Sequence, residues 1–403
     1  MNQLFRCSRV LLVALFLVFG LAVAAEPLHI YLTYSDAPET SIDVNIVMPR
    51  ASDTLELHFD TAPHAEPGEY ANRVRPQYVQ TPMELSDRRT MYVAALKDLA
   101  PGTVYHFMTT DEDTGPSAPR SFRTLPGGNA PLRIVNGGDM AVDGNAIPLL
   151  TLAGKQDPDF AVIGGDIAYV NGLLGGFATW DLWLKNWSEL MVTSDGRMIP
   201  LVCAIGNHET NRYNTEDIAL RAPWYMSLFG RQAGDLYYSR KFGDNLILFV
   251  LDSGHLRPHA GAQTDWLAAE MEKYKDVKYK FAAYHVPLYP AHRPYEGEGS
   301  AQGRVHWGPL FDQFGLTVGL EHHDHVLKRT KPLKGGQVVE QGTIYIGDGT
   351  FGRGARTVDP EPRWYNQVEA AAQHFWVIDV ADDKLSFKAI DPEGAVLDEF
   401  TLP

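Results

Sequence analysis

Cysteine is nearly absent: the 403-residue chain has two, Cys7 and Cys203. Cys7 lies in the first 25 residues. If that segment is removed, Cys203 is left alone and no internal disulfide can form. Positive charge is also short. Against 50 Asp and Glu there are 35 Lys and Arg, a formal charge of −15, and no basic block offers a nucleic-acid-binding face. No Gly-x-Ser-x-Gly elbow is present, which excludes serine-hydrolase chemistry of that type. The glycine-rich stretch from Gly347 to Gly354 lacks the Gly-Lys-Ser/Thr ending of a P-loop and reads as a structural turn. Internal repeats and low-complexity segments are missing as well.

What is present is a soluble globular composition, 45% hydrophobic and 11% aromatic. The length is too great for one ordinary core and suggests two domains. The N-terminus is a separate object. Arg6 and Arg9 precede an apolar run from Val10 to Ala25, which ends in small residues. This is the pattern of a signal peptide over residues 1–25, and it predicts a secreted or periplasmic protein. The run is shorter than the roughly 18 residues of a spanning helix, so no stable membrane insertion is expected after cleavage. Losing both arginines moves the charge from −15 to −17. An anionic substrate then needs a local positive centre, which a metal ion can supply.

Residues 26–126 alternate polar and apolar residues in short runs, such as Ile42–Val47 and Met91–Leu96. Period-two alternation between turns predicts an antiparallel β-sandwich. The stretches Leu99–Tyr105 and Ser121–Leu125 resemble the closing strands of a fibronectin type III module. His29, His58, His64 and His106 show no ligand spacing and read as strand-surface or turn residues. Pro126–Pro131 is a turn-rich joint, and the second domain is placed at 130–403. There strands at Leu132–Asn136, Asp159–Ile163 and Leu201–Ile205 alternate with helices at Ala146–Gly154 and Thr179–Val192, implying a largely parallel sheet. The stripe of Trp180, Trp183, Leu184 and Trp187 reads as core. Further strands are predicted at Leu236–Lys241, Leu246–Leu251, Lys280–Tyr284 and Leu316–Leu320. An irregular stretch is predicted from Leu288 to Val305, and antiparallel strands close the chain.

Five strands end in groups able to bind metal: Asp139, Asp166, Asn207, His285, and the pair His323 and His325. Such a set suits iron, zinc or manganese. It is too large for one ion, and two ions bridged by a carboxylate account for it better. The motifs Gly-Asp, Gly-Asp-x-x-Tyr, Gly-Asn-His-Glu, His-x-Pro and His-x-His, in this order, resemble the calcineurin-like metallophosphoesterases and, within them, the purple acid phosphatases. The first motif lacks the usual Asp-x-His histidine (Asp139-Met140-Ala141), and Tyr169 follows Asp166 by three residues.

The resemblance implies a fibronectin III-like sandwich followed by an α/β domain of αββα architecture. It implies a dinuclear centre, with Fe(III) held by Asp139, Tyr169 and His325, and a divalent iron, zinc or manganese held by Asn207, His285 and His323. Asp166 bridges the two. His208 bonds the phosphate or protonates the leaving oxygen, with His292 and Arg293 as further substrate contacts. The implied reaction is hydrolysis of a small phosphate monoester by a metal-bound hydroxide. A phosphodiesterase or nucleotide hydrolase, or a non-catalytic binding protein on the same scaffold, are the alternatives. The sequence departs from the family at His322, where a glycine is usual, at Val326-Leu-Lys-Arg329, and at Arg293, where plant enzymes carry a second histidine. His322 could ligate, support a ligand or only adjust the chain locally. The natural substrate and the oligomeric state are not legible.

Overall fold

The computed structural model describes residues 27–403 apart from 235, 348, 359 and 360. The expected signal segment lies outside the described residues. Among those described, no helix is long and apolar enough to cross a membrane.

The site is carried by two sheets whose strands end at one edge. In the first, Leu132–Gly137, Phe160–Ile163 and Leu201–Cys203 run parallel and adjacent. In the second, Leu246–Val250, Tyr279–Ala283, Val318–Glu321 and Ile344–Gly347 also run parallel and adjacent. These strands are buried along their length, which is why they read as continuous apolar runs.

The pleat sorts their side chains between two cores. Leu246, Leu248 and Val250 join Ile134, Phe160 and Leu201 in the core between the sheets. Ile247, Phe249 and Leu251 face outward and pack with Leu267 and Met271 of the helix Ala262–Lys273 and with Phe311 of the helix Gly308–Phe314. On the far side of the first sheet lie Ala146–Gly154 and Phe177–Leu190, the latter burying Trp180, Trp183, Leu184 and Trp187. Helix, sheet, sheet, helix is the expected layering.

The N-terminal part is all-β, but it does not keep its strands to itself. His29–Thr33 pairs parallel with Leu201–Cys203, and Ile42–Met48, Thr90–Leu96 and Gln77–Val79 follow. Among the described residues the first sheet therefore has ten strands and spans both parts of the chain. The remaining N-terminal strands, including Glu56–Asp60 and Val104–Asp111, form a separate five-stranded sheet. The seam is also tied by charge. Asp181 of the helix Phe177–Leu190 accepts from His29 at 2.8 Å and from Arg89 at 2.6 Å. His29 thus has a joining role that its sequence context does not reveal.

One expectation is corrected and one element is new. The stretch 288–305 is not irregular throughout, because Glu298–His306 is a helix. Its cue was weak, since Gly299 and Gly303 lower helix propensity. Gly303 is needed there: a Cβ would fall 2.6 Å from Leu288. The helix Pro223–Ala233, which buries Tyr225 and Phe229 against the first sheet's core, was not foreseen.

Candidate metal centre

The strands Leu132–Gly137, Phe160–Ile163 and Val318–Glu321 hand their predicted ligands to the edge through tight turns. Asp139, Asp166, Tyr169, His323 and His325 all sit at positive φ, between 51° and 70°. Non-glycine residues adopt this region rarely and at a cost, and such residues cluster at functional sites. The turns are held by backbone bonds between strand ends: Asp139 N–H donates to Gly165 O at 3.0 Å and Met140 N–H to Asp166 O at 3.1 Å.

The predicted ligands converge as two groups. Asp139 Oδ1 accepts from the Tyr169 hydroxyl at 2.7 Å and lies 2.8 Å from His325 Nε2; the hydroxyl is 3.1 Å from that same nitrogen. In the second group, His285 Nε2 lies 3.1 Å from Asp166 Oδ2 and 3.0 Å from His323 Nδ1. Asp139, Asp166, His285 and His323 offer ligand atoms all within 4.8 Å of one another. Asn207 Oδ1 is buried and, among the described residues, has no hydrogen-bond partner. A buried acceptor left bare is costly unless something outside the protein satisfies it. The neighbours of Asn207 touch Asp166, since a Cβ on Gly206 would lie 2.3 Å from Asp166 Oδ1 and His208 N–H donates to that oxygen at 2.7 Å, so the residues present suit a cation there.

Supporting contacts fix these ligands. His285 Nδ1–H donates to Gly164 O at 2.8 Å, which leaves Nε2 facing Asp166 and His323. Glu209, fully buried, accepts from the backbone N–H groups of Asp166 and Ile167 at 2.7 Å each and of Gly206 at 2.9 Å, locking the turn under Asp166. Asp324 accepts from the N–H groups of Ala291 and His292 at 2.7 and 2.9 Å. Below it, buried Lys328 pairs with buried Glu321, whose other oxygen accepts from the Tyr284 hydroxyl at 2.9 Å. This gives Lys328 of the unusual Val326-Leu-Lys-Arg329 a buried partner. The motif Gly-Asn-His-Glu contained Glu209, but its spacing alone assigns no partner.

The electrostatics call for positive charge. Burial would raise the Asp139 carboxyl, but His285, His325 and His323 outweigh it and hold the group well below the carboxylate range. Burial, then Asp139 and Asp166, push the Tyr169 phenol far above its ordinary value. Tyr169 is therefore a phenol until a strong cation arrives. Burial alone would lower His285, yet Asp166 and Asp139 raise it to about 9. Protons and cations compete for these groups.

His208 leans on Tyr169, ring centroids 4.2 Å apart, and its Nδ1 contacts Asn171 Oδ1 at 2.5 Å. Its Nε2 is 3.8 Å from Asp166 Oδ2. Beside it opens a cavity of about 650 Å³ lined by Asn171, Leu173, Asn207, His208, Arg212 and Tyr213, among others.

His322 turns away from the ligand groups. It is 1% exposed, bonds to Tyr284 O at 3.0 Å, and lies 3.3 Å from the Asn136 amide nitrogen. It fills the space over Gly138 and Gly164, and burial lowers it to about 4. Its ring nitrogens are engaged at Tyr284 O and beside Asn136, in keeping with a supporting role or a local adjustment. His292 and Arg293 lie at the rim and are engaged: His292 Nδ1–H donates to Thr357 O at 2.8 Å, and Arg293 Nη1 donates to Asp324 Oδ1 at 3.0 Å and to His323 O.

Two family profiles match this chain. "Purple acid Phosphatase, N-terminal domain" covers residues 27–124, and "Calcineurin-like phosphoesterase" covers 132–327. Together they span both halves and the motifs through His325. The chain belongs to the purple acid phosphatase branch of the calcineurin-like phosphoesterases.

That is a hydrolase family, and a dinuclear metal centre is what membership implies. An uncharacterised protein of Mycobacterium tuberculosis is 26% identical over 279 residues, covering 60% of this chain and 51% of its own length. Purple acid phosphatase 15 of Arabidopsis thaliana is 24% identical over 281 residues, covering 62% and 52%. The chain thus spans about half the length of these relatives. Among solved structures, a purple acid phosphatase from yellow lupin (Lupinus luteus) seeds superposes with a TM-score of 0.78 at 16% identity, over 94% of this chain and 74% of that one. PhoD superposes at 0.68 and 12% identity, over 94% and 90%. At such identities the likeness concerns the fold.

Proposed function

We propose that the chain is a metal-dependent phosphomonoesterase of the secretory pathway or periplasm, with a dinuclear centre. Residues 26–126 are read as a fibronectin III-like sandwich and 130–403 as the phosphoesterase domain. The observation that carries the reading is the pair of ligand groups meeting at one sheet edge, with the buried Asn207 Oδ1 left bare between the protein and the space beside it.

In this reading Asp139, Tyr169 and His325 hold Fe(III), Asn207, His285 and His323 hold a divalent iron, zinc or manganese ion, and Asp166 serves both. When bound, the ions supply Lewis acidity that draws charge from the phosphoryl oxygens and acidifies water. His208 stands at the mouth with its Nε2 near Asp166, placed to hydrogen-bond the phosphate or hand a proton to the leaving oxygen. Asn171 orients that ring. The cavity past His208 receives the alcohol. Glu209 and Asp324 keep the carrying loops fixed, so little reorganisation is needed during reaction.

The test is to load purified protein with iron and a second metal, determine metal content, and assay 4-nitrophenyl phosphate beside bis(4-nitrophenyl) phosphate. Two metals per chain and faster monoester cleavage are expected. A fully loaded protein that cleaves neither ester would overturn the reading.

A further inference from the structure

We infer that Arg353 and Arg356 form a phosphate clamp over the metal centre, and that the clamp selects dianionic phosphate monoesters over diesters. The inference rests on the proposed phosphoesterase function and adds residues that neither the ligand motifs nor the rim pair His292-Arg293 contains.

Both arginines belong to the segment after Gly347, which the sequence presents as a glycine turn. It is a turn, but one pressed onto the site. Gly349, at φ 73°, leaves so little room that a Cβ would lie 2.6 Å from Asp139 Oδ2 and 2.8 Å from His323 N. The backbone is then stitched to the ligand loops. Phe351 N–H donates to Gly138 O at 3.0 Å, Arg353 N–H to Asp139 O at 2.9 Å, and Arg356 N–H to His325 O at 2.7 Å. These bonds fix the origin of each side chain relative to two ligands.

The guanidinium groups themselves are underused. Arg353 lies over the Tyr169 ring, its Cζ 4.6 Å from the centroid, and its buried Nε has no partner among the described residues. Among the described residues its one ionic contact is with Asp143 at 3.5 Å, on a half-exposed surface. Arg356 is part-buried, and burial followed by repulsion from Arg293 pulls it below its ordinary value. Among the described residues its side chain has no hydrogen-bond or ion-pair partner. That sets it apart from the buried and part-buried arginines that find a carboxylate. Carboxylates outnumber cations, and Arg89, Arg123, Arg133, Arg329 and Arg293 all find one. A part-buried guanidinium without a partner, next to one that holds only a carboxylate at 3.5 Å and beside a third, is electrostatically costly until an anion sits between them.

The chemistry of the anion follows. Guanidinium N–H groups bind phosphate oxygens in pairs and more strongly as the oxygens gain charge. A monoester offers three non-bridging oxygens and up to two negative charges. A diester offers two oxygens and one charge, and its second alcohol must occupy the place a guanidinium would take. A clamp of this kind thus helps the monoester more.

The decisive experiment compares wild type with Arg356→Ala, Arg356→Lys and Arg353→Gln, each loaded to the same metal content. Orthophosphate affinity is measured by isothermal titration calorimetry, and kcat/KM for 4-nitrophenyl phosphate and bis(4-nitrophenyl) phosphate by absorbance. For Arg356→Ala, orthophosphate affinity and monoester kcat/KM should each fall roughly 10- to 100-fold, the loss of one charge-assisted contact. Diester kcat/KM should change less than about threefold, and Arg356→Lys should recover part of the monoester loss. Arg353→Gln should act in the same direction. Equal losses for both esters, or unchanged orthophosphate affinity, would overturn the clamp while leaving the phosphoesterase reading intact. If wild type cleaves neither ester, the titration alone decides: selective loss of orthophosphate in the variants sustains the clamp, and no binding by wild type refutes it.

Discussion

Gly164→Ala tests whether His322 is a built-in spacer between the strand ends. A Cβ at position 164 would lie 1.9 Å from both Cε1 and Nδ1 of His322 and 2.3 Å from Cγ. Carbon atoms in contact prefer about 3.5–4.0 Å, so the imidazole must leave. It is wholly buried and holds Tyr284 O at 3.0 Å. Its neighbour Gly164 O also accepts from His285 at 2.8 Å. Overpacking costs roughly 1–3 kcal/mol, and stranding buried polar groups adds roughly 1–3 kcal/mol more. The expected loss is therefore about 2–6 kcal/mol. His322→Ala alone removes a buried ring and should cost roughly 2–5 kcal/mol by the usual large-to-small scale. In the double variant the methyl group meets empty space, so the overpacking share disappears. The double-mutant cycle should show a favourable coupling of about 2 kcal/mol or more, well outside the roughly 0.5 kcal/mol scatter of independent sites. Urea denaturation of the metal-free proteins, read at constant slope, gives all four free energies. Additive losses, or a Gly164→Ala protein as stable as wild type, would show that His322 does not fill the space over Gly164.

Three further outcomes are expected. The iron-loaded protein should show a visible charge-transfer band that Tyr169→Phe removes at unchanged iron content; a band that persists in the variant refutes tyrosinate ligation. Lys328→Met leaves Glu321 buried without its cation and should cost roughly 3–5 kcal/mol, while Lys328→Met with Glu321→Gln recovers much of it; melting curves of the pair decide. Buried His374 is held at about 4 by desolvation. Its folded value lies below the unfolded value near 6.5, so it contributes nothing above pH 6.5. Between pH 6.5 and 4 the unfolded chain takes up a proton that the folded chain refuses, so stability falls, by about 3 kcal/mol at most. His374→Gln should flatten that fall, and a stability difference between wild type and variant that does not change with pH would show that His374 is not its source.

Much of the site is legible in the linear chain because each ligand follows a buried strand. Apolar runs such as Phe160–Ile163 and Leu246–Val250 announce strands, and the polar residue after each announces an edge. Tyr169, three residues past Asp166, together with the missing histidine after Asp139, points to the branch of the family. The sequence also carries the layered fold, since period-two sorting of Leu246, Ile247, Leu248 and Phe249 is local.

Other features depend on which distant groups meet. Nothing near His29 predicts that Asp181 will bind it or that its strand will extend the sheet beyond Leu201–Cys203. Arg293 sits in the motif position for substrate, but Asp324 and the His323 carbonyl engage it. Arg353 and Arg356 sit in an unpromising glycine turn and arrive over Asp139 and His325 only through backbone bonds. Likewise, His322 could have been a ligand until the packing over Gly138 and Gly164 turned its ring away. The sequence alone determined the candidate ligands and their order, because strand burial and turn geometry are encoded within a few residues. The tertiary structure decided which charges pair and which remain available to an anion, because electrostatic partners are set by distance in space and not along the chain.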